Sequence, residues 1–87
     1  MYNIILKNSI KKDLKRIDKK YINIILNSIE LLKVNPFPLN SKKIISSEFY
    51  RIRVGDYRVI YFVDKNKFLI TIFFIRHRNF DYNMFVL

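Results

Sequence analysis

Residues 50–61 read YRIRVGDYRVIY, a pattern that gathers three guanidinium groups into a small space. Residue types alternate with the period of two that a β-strand requires, turn over at Gly55-Asp56, and alternate again. Tyr50, Ile52 and Val54 point one way, Arg51 and Arg53 the other, and Arg58 follows just across the turn. Two arginines on one strand face, with a third on the paired strand, form a compact cationic surface on a rigid support. That surface suits a phosphate backbone better than a small neutral ligand, because planar guanidinium groups donate in pairs to phosphate oxygens. The same arginines could equally be a solvated sheet face. A second group, Arg76-His77-Arg78, ends the next strand-like run, and by alternation His77 faces away from Arg76 and Arg78.

The rest of the inventory narrows the chemistry. A metal nuclease needs clustered carboxylates or histidines, whereas this chain has 7 acidic residues, widely scattered, and 1 His. There is no Cys, and no Ser has an identifiable activating partner, so nucleophilic catalysis by the protein is unsupported. No metal or other cofactor is expected. Attack by an RNA 2′-hydroxyl on its own phosphate asks for less. The nucleophile arrives with the substrate, and the protein must align it and stabilise charge. Each preorganised donor around the phosphate can lower such a barrier by roughly 3 kcal/mol or more. DNA lacks that nucleophile.

With 87 residues the chain is expected to form one domain, residues 1–87, and 51% hydrophobic content can supply a core. The absence of Cys fits a cytoplasmic product. The formal net charge of +10 attracts polyanions: nucleic acid, an anionic membrane surface or an acidic protein. No apolar run approaches transmembrane length, and the N-terminus, an apolar start followed by lysines, reverses the order of a secretory signal. No membrane association is expected.

The elements that position the arginines follow from periodicity. Residues 2–6 read as a strand. Ser9 is a candidate N-cap for a helix carrying Ile10, Leu14 and Ile17, with Lys11, Lys12, Lys15 and Arg16 between them. Asp18 can cap a second helix with Ile22, Ile25, Ile29 and Leu32 on one stripe, stopped by Pro36 and Pro38. Residues 39–47 read as a polar connection. Strands are predicted over residues 49–54, 57–63 and 68–76, with a tight turn at Gly55-Asp56 and a four-residue turn at residues 64–67. The Phe-rich run at residues 68–74 reads as core. The order β-α-α-β-β-β predicts an α+β fold, with two N-terminal helices on one face of a mostly antiparallel four-stranded sheet. The other face must meet solvent or a partner, and the arginines belong there.

This order, with KNSIKKDLKRI in the first helix, YRIRVGDYRVIY across the hairpin and IRHRNFDY near the C-terminus, resembles the RelE/ParE superfamily of toxin-antitoxin toxins, and the RelE branch in particular. The resemblance covers essentially the whole chain. It implies a ribosome-dependent, metal-independent endoribonuclease that cuts mRNA in the A site by 2′-hydroxyl attack. It further implies the ribosome, mRNA and a cognate antitoxin as partners, the last in a hetero-oligomer. Carried over by motif, the catalytic set falls on Arg51, Arg53, Arg58 and Arg78, with Tyr82 stacking on a base. Some relatives carry lysines where this chain has Arg51 and Arg53. Arginine hardly deprotonates, so the substitution keeps the charge and leaves proton transfer unassigned.

Other side chains have competing readings. His77 could serve as acid or base, since its unperturbed pKa of about 6.5 suits either role; a structural role at a strand end is the alternative. Arg76 could contact RNA phosphate. Lys11, Lys12 and Lys15 could dock on ribosomal RNA or simply form a solvated face. Tyr82 could instead pack in the tail, and Glu48, the carboxylate nearest the arginines in sequence, reads as a surface residue. Two rival functions share the same features: a ParE-like toxin acting on DNA gyrase through protein contacts, and a noncatalytic nucleic-acid-binding module.

Overall fold

In the computed structural model, residues 1–79 are described. The elements are β1 (Asn3–Leu6), α1 (Ser9–Lys15), α2 (Lys19–Leu31), β2 (Ser41–Lys43), β3 (Tyr50–Val54), β4 (Tyr57–Asp64) and β5 (Leu69–His77). The strands form one five-stranded sheet in the order β1-β5-β4-β3-β2. β1 runs parallel to β5, and every other pairing is antiparallel. The α+β class and the order of the two helices and four main strands match the sequence reading.

The α2 stripe forms because its apolar residues recur at helical spacing. Ile25, Ile29 and Leu32 are buried and Ile22 is partly so. Asp18 caps α2 as expected, its carboxylate accepting from the Lys20 N–H at 3.1 Å. Ile10 of α1 and Ile17 just beyond it join the same core, which Ile52, Val54, Val59, Tyr61, Ile70, Ile72 and Ile75 close from the sheet. At the hairpin Gly55 has φ +59, and Val54 pairs directly with Tyr57 across it. A two-residue turn with glycine first and a positive φ there matches the twist of the flanking strands.

Four details depart from the sequence reading. The polar connection contains β2, whose Ser41, Lys42 and Lys43 pair with Ile52, Arg51 and Tyr50. This strand has no apolar alternation; it exists because its backbone satisfies the otherwise open edge of β3. Ser9 does not cap α1. Asn8 occupies the cap position without a side-chain bond, and the Ser9 hydroxyl donates to the Phe73 carbonyl at 2.7 Å. The Phe-rich run is not uniformly core: Phe68 is exposed with φ +51, and Phe73 and Phe74 are half-buried. Finally, β5 carries a bulge. Ile60 pairs with Phe74 and Tyr61 with Ile72, so Phe73 has no partner on β4.

Nor is the sheet face opposite the helices bare. Ile44 and Ile60 are buried outside the main core, and the Phe49 ring lies 5.0 Å from Phe73 and 6.4 Å from Phe62. Residues 44–49 thus cover part of that face. Ile60 opposes Arg51 and Phe74 in register and so shares a side with the arginines.

Tyr61 is fully buried, and its hydroxyl donates to the Pro36 carbonyl at 2.7 Å, tying β4 to the segment that ends α2. Burial pushes this phenol from 10.0 up to about 12. Its neutral form therefore contributes stability in full below pH 10, and that contribution is lost as pH rises toward about 12. Tyr61→Phe should cost about 1 kcal/mol at neutral pH. It should also make the alkaline fall in stability between pH 10 and 12 shallower, as measured by urea unfolding across that range.

Candidate functional site

The register gathers the hairpin arginines and adds to them. Arg53 opposes Arg58 and Arg58 opposes Arg76, so the three lie in one row across β3, β4 and β5 on the face away from the helices. The next row on that face runs Lys42, Arg51, Ile60 and Phe74. Lys42, Arg51 and Arg53 line a cleft of about 230 Å³ together with Leu39 and Asn40. Arg53 is exposed and Arg51 half-buried. Asn40 holds this corner in place. Its side-chain amide donates to the Arg53 carbonyl at 2.9 Å, and its own carbonyl accepts from the Arg53 N–H at 3.3 Å.

Like charges directly opposed across strands repel, so the row needs compensation. Arg58 is only 8% exposed and its Nη1 donates to the carbonyls of Gly55 at 3.3 Å and Tyr57 at 3.2 Å. Arg76 donates to the Asp13 carboxylate at 2.8 Å and to the Ile75 carbonyl at 3.1 Å, with its guanidinium 4.5 Å from the Phe74 ring centre. The other Asp13 oxygen accepts from the Ile75 N–H at 2.9 Å. β1 pairs with β5 only as far as Ile72, and α1 takes over beyond it through Ser9 and Asp13. Arg58 and Arg76 are therefore held in place before any ligand arrives.

Arg78 stands at the hairpin end. Its N–H donates to the Asp56 carbonyl at 2.7 Å, and its guanidinium lies 3.8 Å from the Asp56 carboxylate with 60% of the side chain exposed. His77 faces the helix side, as alternation predicts, with its ring 5.6 Å from Tyr57. Lys11, Lys12 and Lys15 are exposed on α1. Tyr82 lies outside the described residues. Among the described residues no group of three His, Cys, Asp or Glu could hold a metal ion, and no helix is long and apolar enough to cross a membrane.

Sequence reasoning missed two residues of this arrangement. Lys42 gave no signal, because β2 has no periodicity of its own. Asp13 did give one: it falls on the Ile10, Leu14, Ile17 stripe, where a carboxylate can be buried only if it is paired.

A family model described as the ParE toxin of the type II toxin-antitoxin system parDE matches residues 4–82, and the chain belongs to this family, within the RelE/ParE superfamily. The chain is similar to RelE in the archaeal RelE-RelB complex from Pyrococcus horikoshii OT3, at 27% identity and TM-score 0.79, covering 92% of this chain and 98% of that one. It is similar to a chain of the RelB-RelE antitoxin-toxin complex from Methanococcus jannaschii, at 30% identity and TM-score 0.71, covering 93% and 98%. The isolated RelE toxin of E. coli shares the fold at 14% identity and TM-score 0.76, covering 99% and 96%. A search of curated proteins finds no match.

The Asp13 arrangement can be tested by unfolding. Asp13→Ala leaves the Ile75 N–H without its acceptor and removes the carboxylate from Arg76, and should lower stability by about 3 kcal/mol. Asp13→Asn keeps an acceptor and should cost less. Equal losses for the two variants in urea melts would show that a neutral acceptor cannot replace the carboxylate and that its charge carries the stabilisation.

Proposed function

We propose that this toxin is a ribosome-dependent, metal-independent mRNA endoribonuclease that cleaves in the A site and so blocks translation. The observation that carries the reading is the row Arg53–Arg58–Arg76, with Arg51 and Lys42 beside it on rigid strands. Such a surface fits one backbone phosphate and its neighbours. In the reaction the RNA 2′-oxygen bonds to the adjacent phosphorus, the 5′-oxygen leaves, and a 2′,3′-cyclic phosphate and a 5′-hydroxyl result. Arg58 and Arg78 stabilise charge as it builds on the phosphate, Arg51 and Arg53 hold the neighbouring oxygens, and Tyr82 stacks on a base. Arg76, held by Asp13, adds positive potential to the row. His77 is on the opposite side of β5 from this row and takes no part.

The ribosome supplies the remaining alignment by holding the codon in an attack-ready shape. Free RNA should therefore be cut poorly, and EDTA should not affect the cleavage step on intact ribosomes. The partner that restrains the toxin is a cognate antitoxin with an acidic or amphipathic segment, matched to the net charge of +10. RelB–RelE pairs from P. horikoshii and M. jannaschii support this reading. The match to a ParE family model supports a second reading, action on DNA gyrase through protein contacts. Sequencing mRNA 5′ ends from a translating extract separates the two. Codon-phased cuts select the ribonuclease; intact mRNA with gyrase-dependent DNA breaks selects the alternative.

Arg58→Ala or Arg78→Ala should lower the single-turnover cleavage rate by roughly a hundredfold or more, the usual effect of losing one preorganised donor. Ribosome affinity should change much less. Replacing Lys11, Lys12 and Lys15 together should do the reverse, giving weaker binding with a flatter salt dependence at nearly unchanged saturated rate. Parent rates for both arginine variants on saturated ribosomes would sink the assignment.

A further inference from the structure

A second cleft, of about 560 Å³, opens at the end of the sheet away from the Gly55-Asp56 hairpin. The rings of Phe37, Tyr50 and Phe62 line it, with Lys43, Lys65 and Glu48. The Phe37 and Tyr50 ring centres are 4.8 Å apart, and the Lys65 ammonium lies 5.3 Å from the Phe37 ring centre. Aromatic faces interleaved with lysines are the composition that holds single-stranded nucleic acid, since any base can stack and any phosphate can pair. Asp64 also lines the cleft, but its carboxylate already accepts from the N–H groups of Asn66 and Lys67 at 3.1 Å. Among the described residues Glu48 makes no hydrogen bond or ion pair. It is an acceptor only, suited to the amino edge of a base rather than to phosphate.

The cleft borders the arginine rows across the β2 edge, since Tyr50 and Lys43 lie on the helix side of the strands and Arg51 and Lys42 on the other. Lys43 opposes Tyr50 and Lys42 opposes Arg51 on consecutive residues of β2 and β3. Cations therefore run from Arg58 and Arg53 through Arg51 and Lys42 to Lys43, turning over the β2 edge of the sheet. Tyr50 and Arg53 are about 10 Å apart along the strand but on opposite faces, so an RNA strand that reaches both passes over the β2 edge.

We propose that this cleft is a nucleotide subsite for single-stranded RNA. It takes a base of the same strand whose scissile phosphate lies at the arginine row. The base stacks on Phe37 and Tyr50, the phosphate lies near Lys43 and Lys65, and Glu48 accepts from the base edge. The proposal rests on the ribonuclease reading and assigns it a second contact beyond the codon-cutting site.

The test is an NMR titration of the full chain with a cleavage-resistant 2′-deoxy hexanucleotide. Ring signals of Phe37, Tyr50 and Phe62 should shift together with those of Arg51 and Arg53. Phe37→Ala should weaken binding roughly tenfold with an unchanged salt dependence. Lys43→Ala with Lys65→Ala, both on exposed side chains, should weaken it comparably and flatten the salt dependence. Shifts confined to the arginine face, with cleft signals unmoved and the lysine variant binding normally, overturn the subsite and leave the ribonuclease reading standing. Oligonucleotide binding unaffected by the lysine variant while antitoxin binding is lost overturns it in favour of a protein-docking cleft. Codon-phased cleavage absent from a translating extract is the separate failure of the ribonuclease reading itself.

Discussion

Beyond Ile72 no strand among the described residues pairs with the outer edge of β5, and the way that edge is satisfied organises the molecule. An open edge leaves backbone donors and acceptors exposed to wrong partners. Here the chain leaves β1, turns at Lys7, and lays α1 along the vacant edge, where Ser9 takes the Phe73 carbonyl and Asp13 takes the Ile75 N–H. Because Asp13 is nearly buried, it needs a countercharge, and Arg76 supplies it. Packing, edge protection and the orientation of a functional-face cation are thus one interaction.

The surface field has a related origin. Most of the few carboxylates are occupied within the fold: Asp13 with Arg76, Asp18 at a helix start, Glu30 with Lys33, Asp56 near Arg78, Asp64 in its own turn. Each neutralises locally and none lies among Lys42, Arg51 and Arg53, which stay available to an outside polyanion. Fixing cations before the ligand arrives reduces the ordering that binding must impose, and that is the source of electrostatic preorganisation.

Much of this was legible in the sequence. The α2 stripe, the Asp18 cap and the Gly55 turn each follow from local rules, and pairing across a two-residue turn brings Arg53 beside Arg58 with no tertiary information. The missed parts depend on distant segments. Ser41, Lys42 and Lys43 form a strand only because β3 offers an edge. Ser9 looks like a cap until the bulged carbonyl of Phe73 is beside it. Ile44 and Phe49 read as loop residues, yet they cover Ile60 on the face that the pattern alone would leave open. Arg76 looked like a free phosphate contact because its partner lies 63 residues earlier.

The bulge at Phe73 has a consequence for the side chains that β5 presents. Upstream of it, Ile70 and Ile72 face the helices; downstream, Ile75 does, a change from even to odd numbering. That one unpaired residue sets the phase of the rest of β5, and so decides which of two neighbours joins the arginine row. Were Phe73 instead paired with Ile60 as a regular strand residue, Ile75 would oppose Arg58 and Arg76 would turn toward the helices. One unpaired residue in a strand interior, distant in sequence from the hairpin, thus keeps a guanidinium rather than an aliphatic side chain beside Arg58.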